Sequence, residues 1–303
     1  MDSITVNALC SQNLSIILML LSRLFWSMLI SLLCISQQTA HARLLVTSTQ
    51  PLYLIAQAVT TGIEQPRLLI PAHQDGHHAQ LKPQDRRLIQ AADFVLWIGP
   101  EYEATLTPLL SDQANAIALT KLATFRRLPQ RGLQGQAQPN SLDPHLWLDP
   151  YNAIGMAHAI ATIRGQQYPR DATAYLNNAR QFSQRMIQVL RQSKIPTPQP
   201  YWAYHDAYQY LEKSLGLQFA GALTRDHELP PTAQQLQWLK QNRPSQQPCL
   251  FAEAHAQPSV LQHLAPIQQV TLDERMTHST DFIAGWQTLQ QQISGCQSVR
   301  QTN

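Results

Sequence analysis

The sequence predicts an α/β fold of two lobes, each with a mainly parallel sheet flanked by helices. Short apolar runs alternate with amphipathic stretches along the chain, as expected when helices connect parallel strands. The 303 residues are enough for two domains of about 100–150 residues each. The pattern of the first half is repeated in outline after residue 200.

The first lobe is predicted over residues 43–148. Continuous apolar runs predict strands at residues 44–48, 67–70, 93–98 and 116–119. Amphipathic stretches predict helices at residues 52–59, 84–91 and 101–110. Residues 121–141 contain Pro, Gly, Gln and Arg without a period, which indicates a loop.

A helical connection is predicted over residues 149–195. Asp149 followed by Pro150 is a favourable helix start, because the acid caps the helix and proline fits its first turn. Gly165 and Pro169 interrupt the apolar period, so the segment is one long helix or two stacked ones; we expect a long backbone helix. The second lobe follows over residues 196–303, with strands at 201–204, 218–222, 249–254 and 268–272.

Residues 1–42 are interpreted as a secretory signal peptide. Residues 16–35 are strongly apolar, and Ala40-His41-Ala42 matches an A-x-A cleavage site, which predicts a mature chain that begins at Arg43. The alternative is an uncleaved membrane anchor, given the length of the apolar run.

Composition excludes one class of partner and suggests a disulfide. Only 14% of residues are charged and the net charge is +3, without the clusters of Lys and Arg that nucleic acid binding requires. After removal of the signal, two cysteines remain, Cys249 and Cys296, and an exported chain usually pairs such cysteines. This bridge would close a loop of about 48 residues and contribute about 3–4 kcal/mol.

Three histidines are the candidate metal ligands. His77, His145 and His205 each follow an apolar run at the mouth of a sheet or stand just before a helix. A ligand would bind where the carboxyl ends of the two sheets face each other. Neutral imidazoles suit zinc, and three of them leave a fourth position for a carboxylate or water.

Four motifs carry a resemblance to a known family. They are GHHAQLKPQD at residues 76–85, DPHLWLDP at 143–150, YHDAYQYLE at 204–212 and CLFAE at 249–253. In this order, they resemble the motifs of the periplasmic zinc-binding proteins of bacterial ABC importers, the ZnuA type. The resemblance extends from about Arg43 to Cys296.

The resemblance implies a class III periplasmic binding protein-like fold with two lobes joined by a long helix. It implies a monomer that captures Zn²⁺ in the periplasm and delivers it to an inner-membrane ABC permease, without enzymatic activity. The family's histidines map onto His77, His145 and His205, with His78 as a competitor for the first position. The family's cysteine in the later strand, here Cys249, pairs with one near the C-terminus.

The sequence departs from the family pattern in two places. The loop before the second motif is often rich in histidine, but residues 123–142 contain none. Some members have a glutamate before the first histidine, where this chain has Gly76. We therefore expect the fourth ligand to be Asp273, because related manganese binders place an aspartate after the corresponding strand, or else water. His255 is a further candidate for the cleft.

Three other functions are alternatives. Manganese or another divalent metal would use the same fold, although manganese prefers more oxygen ligands. A zinc hydrolase would need a general base beside the bound water, for which Glu253 and Asp206 are the nearby carboxylates. A binder of haem or a siderophore would need a wide apolar cleft.

Overall fold

The computed structural model describes residues 43–193, 195, 198–225, 229–254 and 256–297. The predicted signal peptide, its cleavage site and the alternative membrane anchor lie outside these ranges, as does His255. Within the ranges, no helix has the length and apolar character that crossing a membrane requires.

The first sheet has four parallel strands in the order β2-β1-β3-β4. The strands are β1 (Leu45–Thr47), β2 (Arg67–Leu68), β3 (Phe94–Trp97) and β4 (Ala116–Ala118). The helices of this half are α1 (Gln50–Thr60), α2 (Pro83–Ala91) and the short α3 (Thr107–Leu110). Both β1 and β3 are buried throughout, as expected for central strands of a parallel sheet covered on both faces.

The helix predicted over residues 101–110 is wrong in its first part. Residues Ala104–Leu106 form a 3₁₀ turn, and the α-helix begins only at Thr107. The reason is Glu103, whose buried carboxylate accepts hydrogen bonds from the backbone N–H groups of Ile98 (3.3 Å) and Gly99 (2.9 Å). These bonds turn the chain back onto the end of β3.

Two helices occupy the predicted connection: α4 (Pro150–Gln167) and α5 (Ala172–Gln192), which pack against each other. Asp149 caps α4, since its Oδ1 accepts from the N–H of Tyr151 (2.9 Å). Tyr168 has φ −131°, outside the helical region, and precedes Pro169, which disfavours helical backbone at the residue before it. A single helix over residues 149–195 is therefore wrong, and the stacked pair is observed.

The second sheet repeats the topology of the first, with parallel strands in the order β6-β5-β7-β8. The strands are β5 (Pro200–His205), β6 (Gln218–Thr224), β7 (Cys249–Ala252) and β8 (Gln268–Thr271). The helices are α6 (Gln209–Leu215), α7 (Ala233–Gln241), α8 (Pro258–Leu261) and α9 (Phe282–Gln297). The two-lobed α/β fold predicted from the sequence is thus confirmed.

The predicted disulfide is present and joins two elements of the second half. Cys249 begins β7, Cys296 lies near the end of α9, and their Cα atoms are 6.0 Å apart. A continuous hydrophobic core, which includes Phe94, Met156 and Phe251, extends from the first sheet through the connecting helices to the second. The lobe boundaries, residues 43–148, 149–195 and 196–303, stay predictions.

Candidate metal centre

The three predicted histidines converge. One ring nitrogen from each of His77, His145 and His205 lies within 4.8 Å of the other two. Within the described ranges, no other group of three or more His, Cys, Asp or Glu side chains meets this criterion. His145 and His205 are buried and His77 is half-buried, and all three line a cavity of about 120 Å³.

His145 is oriented by its own loop. It precedes the 3₁₀ turn Leu146–Leu148, and Asp143 Oδ1 contacts both its backbone N–H (3.0 Å) and its Nδ1 (2.8 Å). A carboxylate on Nδ1 directs Nε2 to a metal, as in many zinc sites. Burial disfavours charge on both partners, because it lowers the pKa of His145 to about 3 and raises that of Asp143 to about 7. His145 is therefore neutral and ready to coordinate a cation.

His205 is oriented by a neighbouring strand. It is the last residue of β5, and its Nδ1 lies 3.2 Å from Oε1 of Glu253, which follows β7. Burial acts to lower the pKa of His205, but the hydrogen bond and charge of Glu253 outweigh it and raise the pKa to about 9. At neutral pH, His205 therefore carries a proton that a metal must displace.

His77 is held by a loop and an aromatic ring. It lies nine positions after Leu68, the last residue of β2. Its backbone N–H donates to Asp75 Oδ1 (2.7 Å), and its ring centroid lies 4.3 Å from that of Tyr102. His78 is exposed and is not part of the histidine group. Of the two adjacent histidines, the structure brings His77 to the centre.

The structure also explains the glycine that replaces the family's occasional glutamate. A Cβ atom on Gly76 would lie 2.2 Å from Cε1 of Tyr102, far inside van der Waals contact. A glutamate at this position would therefore displace Tyr102, which contacts the rings of both His77 and His145.

The structure does not bring Asp273, the predicted fourth ligand, into the group. Its Oδ1 accepts from Thr277 Oγ1 (3.0 Å) and its Oδ2 from the N–H of His278 (3.4 Å), so the carboxylate serves to shape its own turn. The next residue, Glu274, is buried instead, and its pKa is raised to about 8 by burial and by the charge of Glu253. The Asp-Glu pair after β8 was the available sequence signal for this buried acid, which also lies outside the histidine group.

The two carboxylates suggested as general bases are engaged in other contacts. Glu253 faces Nδ1 of His205. Asp206 accepts two hydrogen bonds from Arg131, at 2.9 Å from Nε and 2.7 Å from Nη2. The arrangement therefore offers three candidate metal ligands, two of which have a carboxylate against Nδ1.

Comparisons with known proteins identify the family of this chain. The model of the family described as "Zinc-uptake complex component A periplasmic" (ZnuA) matches residues 45–289. The "High-affinity zinc uptake system protein ZnuA" of Yersinia pestis is 29% identical over 259 residues, covering 75% of this chain and 81% of the relative. The protein of the same name from Brucella abortus is 26% identical over 272 residues, with the same coverage of both chains.

Solved structures share the fold. A crystal structure of ZnuA superposes with a TM-score of 0.70 at 20% identity, covering 85% of this chain and 100% of the other. A zinc-bound variant of AdcAII from Streptococcus pneumoniae gives a TM-score of 0.71 at 19% identity, covering 85% and 99%. Because the family model spans most of the sequence, the chain belongs to the ZnuA family of periplasmic zinc-uptake components.

Proposed function

We propose that this protein is the zinc-binding component of an ABC importer, with His77, His145 and His205 as the metal ligands. The observation that carries the proposal is the convergence of three ring nitrogens within 4.8 Å of one another. Nitrogens bound to one tetrahedral zinc lie about 3.3 Å apart, because each Zn–N bond is about 2.0–2.1 Å long. Small side-chain rotations are enough to close the difference.

The fourth position falls to Glu274 or to water. Neither acid is in the histidine group. Glu274 is buried and its charge acts on His205, whereas Asp273 accepts hydrogen bonds from Thr277 and His278. Three nitrogens and at most one carboxylate favour zinc over manganese, which prefers more oxygen ligands. Manganese or another divalent cation remains the alternative cargo.

The work of this protein is binding and release, without chemistry. Asp206 and Glu253 are engaged by Arg131 and His205, so neither is positioned as a base for a metal-bound water. We infer a periplasmic monomer, exported by the signal peptide of residues 1–42, that hands zinc to an inner-membrane ABC permease. The family and the names of the relatives support this inference.

Zinc titration of the chain from Arg43 onward tests the proposal, with His145→Ala and His205→Ala as variants. Loss of one nitrogen should weaken zinc binding by about 100-fold or more, since structural zinc is held by about 10–16 kcal/mol over four ligands. His263→Ala is the matched control, because that side chain is exposed and outside the histidine group. Undiminished zinc affinity in both variants would contradict the proposed site.

A further inference from the structure

A loop from the first half of the chain reaches across to the second half beside the metal centre. The N–H of Leu128 donates to the hydroxyl of Tyr210 (3.0 Å), and the carbonyl of Leu133 accepts from the N–H of Ala222 in β6 (2.9 Å). Residues 130–133 of this loop line the same cavity as the three histidines. The loop, which lacks histidine, is therefore part of the wall around the centre.

Arg131 lies in this wall, and its guanidinium contacts two carboxylates and an aromatic ring. Its guanidinium lies 3.9 Å from the ring centroid of Phe219, and its side chain is only 10% exposed. Nε and Nη2 donate to the two carboxylate oxygens of Asp206, and Nη1 lies 2.7 Å from Glu212. This paired geometry is the one in which arginine holds a carboxylate most firmly.

Asp206, the carboxylate held by Arg131, lies next to the proposed ligand His205. It follows His205 directly, and the N–H of Ala207 donates to the carbonyl of His205 (3.0 Å), so the chain turns sharply at Asp206. As a result, the side chains of His205 and Asp206 line one cavity, although successive residues of a strand point to opposite faces. Because Asp206 and the three histidines line this cavity, a carboxylate released from Arg131 would be free to turn toward a cation held there.

We propose that Arg131 determines the metal selectivity of the centre by holding Asp206 out of the coordination sphere. The proposal rests on the proposed function, and it gives Arg131 a positioning role rather than contact with the metal. Oxygen ligands favour manganese, and imidazole nitrogens favour zinc. By occupying both oxygens of Asp206, Arg131 keeps the centre rich in nitrogen.

The test compares Arg131→Gln, Asp206→Asn and the double variant with the wild-type chain. Zinc affinity is measured by competition with a chromophoric chelator, and manganese affinity by the loss of the free Mn²⁺ signal in electron paramagnetic resonance. Arg131→Gln should shift the manganese-to-zinc affinity ratio toward manganese by about tenfold, the lower range for changes around metal ligands. Asp206→Asn and the double variant should keep the wild-type ratio, because neither has a carboxylate to add.

This design separates selectivity from structure. Arg131→Gln and the double variant lose the same Arg131 contacts, including those with Glu212 and Phe219. A purely structural role of Arg131 therefore predicts the same change in both, and that result would overturn the proposal. Cobalt gives a second readout: the visible absorption of the Co²⁺ form should weaken in Arg131→Gln alone, as the coordination number rises above four. Arg185→Gln is the matched control, since it breaks another two-bonded Arg–Asp pair that is exposed and whose partner is Asp281.

Arg131→Lys keeps the test decisive if Arg131→Gln does not fold. Lysine provides a point charge in place of the planar fork and leaves one oxygen of Asp206 available, so a smaller shift in the same direction is expected. If Arg131→Gln and Arg131→Lys both fold, an unchanged manganese-to-zinc affinity ratio in both would overturn the inference. If only Arg131→Lys folds, an unchanged ratio in that variant would overturn it. A wild-type chain that fails to bind zinc contradicts the proposed function instead, so the two failures are distinguishable.

Discussion

The two sheets have equivalent strand orders, but they bring the proposed ligands to the candidate metal centre by different routes. In the second sheet, β5 is six residues long and its last residue is His205 itself. In the first sheet, β2 has two residues, and His77 lies nine positions beyond it. His205 is therefore placed by the hydrogen-bonded ladder, whereas His77 depends on Asp75 and the ring of Tyr102.

The groups that orient the imidazoles differ in the same way. The partner of His205 is Glu253, which follows the neighbouring strand β7 and is 48 positions away in sequence. The partner of His145 is Asp143, two positions away in the same loop. The comparison teaches that in the second sheet two neighbouring strands place a histidine and its carboxylate partner, whereas in the first half loop residues hold both His77 and His145. Three changes test this difference.

The largest effect is expected from removal of the disulfide, which is specific to the second sheet. Replacing Cys249 and Cys296 together by Ser should lower the free energy of unfolding by about 4 kcal/mol, because the bond closes a loop of 47 positions. Denaturant titration measures this loss. Hydrogen exchange should accelerate most in β7, β8 and α9 and less in β1 and β3. Equal acceleration in both sheets would show that the bond does not act locally.

An intermediate effect is expected from Glu253→Gln, which alters the partner of His205. Loss of the orienting carboxylate should weaken zinc binding by about 10–100-fold. In the wild type, the His205 pKa of about 9 makes zinc displace a proton at neutral pH, so zinc affinity should rise as pH increases toward 9. Glu253→Gln removes the carboxylate charge that raises the His205 pKa. The zinc affinity of this variant should therefore stop rising at a lower pH than that of the wild type.

Calorimetry in two buffers of different ionisation enthalpy measures the proton release. At pH 7, His205 should contribute about one proton to the release on zinc binding in the wild type and less in Glu253→Gln, whereas His145, with a pKa of about 3, should contribute none in either. Asp112→Asn, a change at an exposed carboxyl group, should behave as the wild type. Equal proton release from the wild type and Glu253→Gln would show that Glu253 does not control the protonation of His205.

The smallest effect is expected from Gly76→Ala, which tests the loop-borne ligand. The added methyl group would lie 2.2 Å from Tyr102 Cε1, so either the ring or the His77 loop must shift. Zinc affinity should fall by about tenfold, because the histidine is displaced but not lost. Gly295→Ala is the matched control, since no atom lies within 4 Å of its added Cβ. Unchanged zinc affinity in Gly76→Ala would show that this loop adapts freely.

The α/β fold could be predicted because buried parallel strands are continuous apolar runs, as at Phe94–Trp97 and Cys249–Ala252. The extent of the helices was less predictable, because it depends on contacts that are distant in sequence. Glu103, for example, contacts Ser48 as well as the end of β3, and this bonding replaces a turn of helix. The interruption at Pro169 was visible in the sequence, but whether it ends a helix or bends it was not.

The candidate site shows the same limit. The three histidines could be chosen from their motifs, whereas their spacing of 68 and 60 positions carried no signal. The fourth ligand position was assigned to Asp273 by analogy with related proteins. In the structure, the adjacent acid Glu274 is buried, and Asp273 accepts a hydrogen bond from Thr277. The role proposed for Arg131 could not be read from the loop sequence, because it arises only when the loop lies against β6 and Phe219.

The contact between Leu133 and β6 has a consequence for solubility. β6 is the outermost strand of its sheet, and such strands invite addition of a strand from another molecule. The backbone of Leu133 already occupies the N–H of Ala222 on that side, so the loop shields the strand from self-association. Shortening residues 123–142 would therefore expose this edge strand, and we expect the shortened chain to aggregate more readily than the wild type.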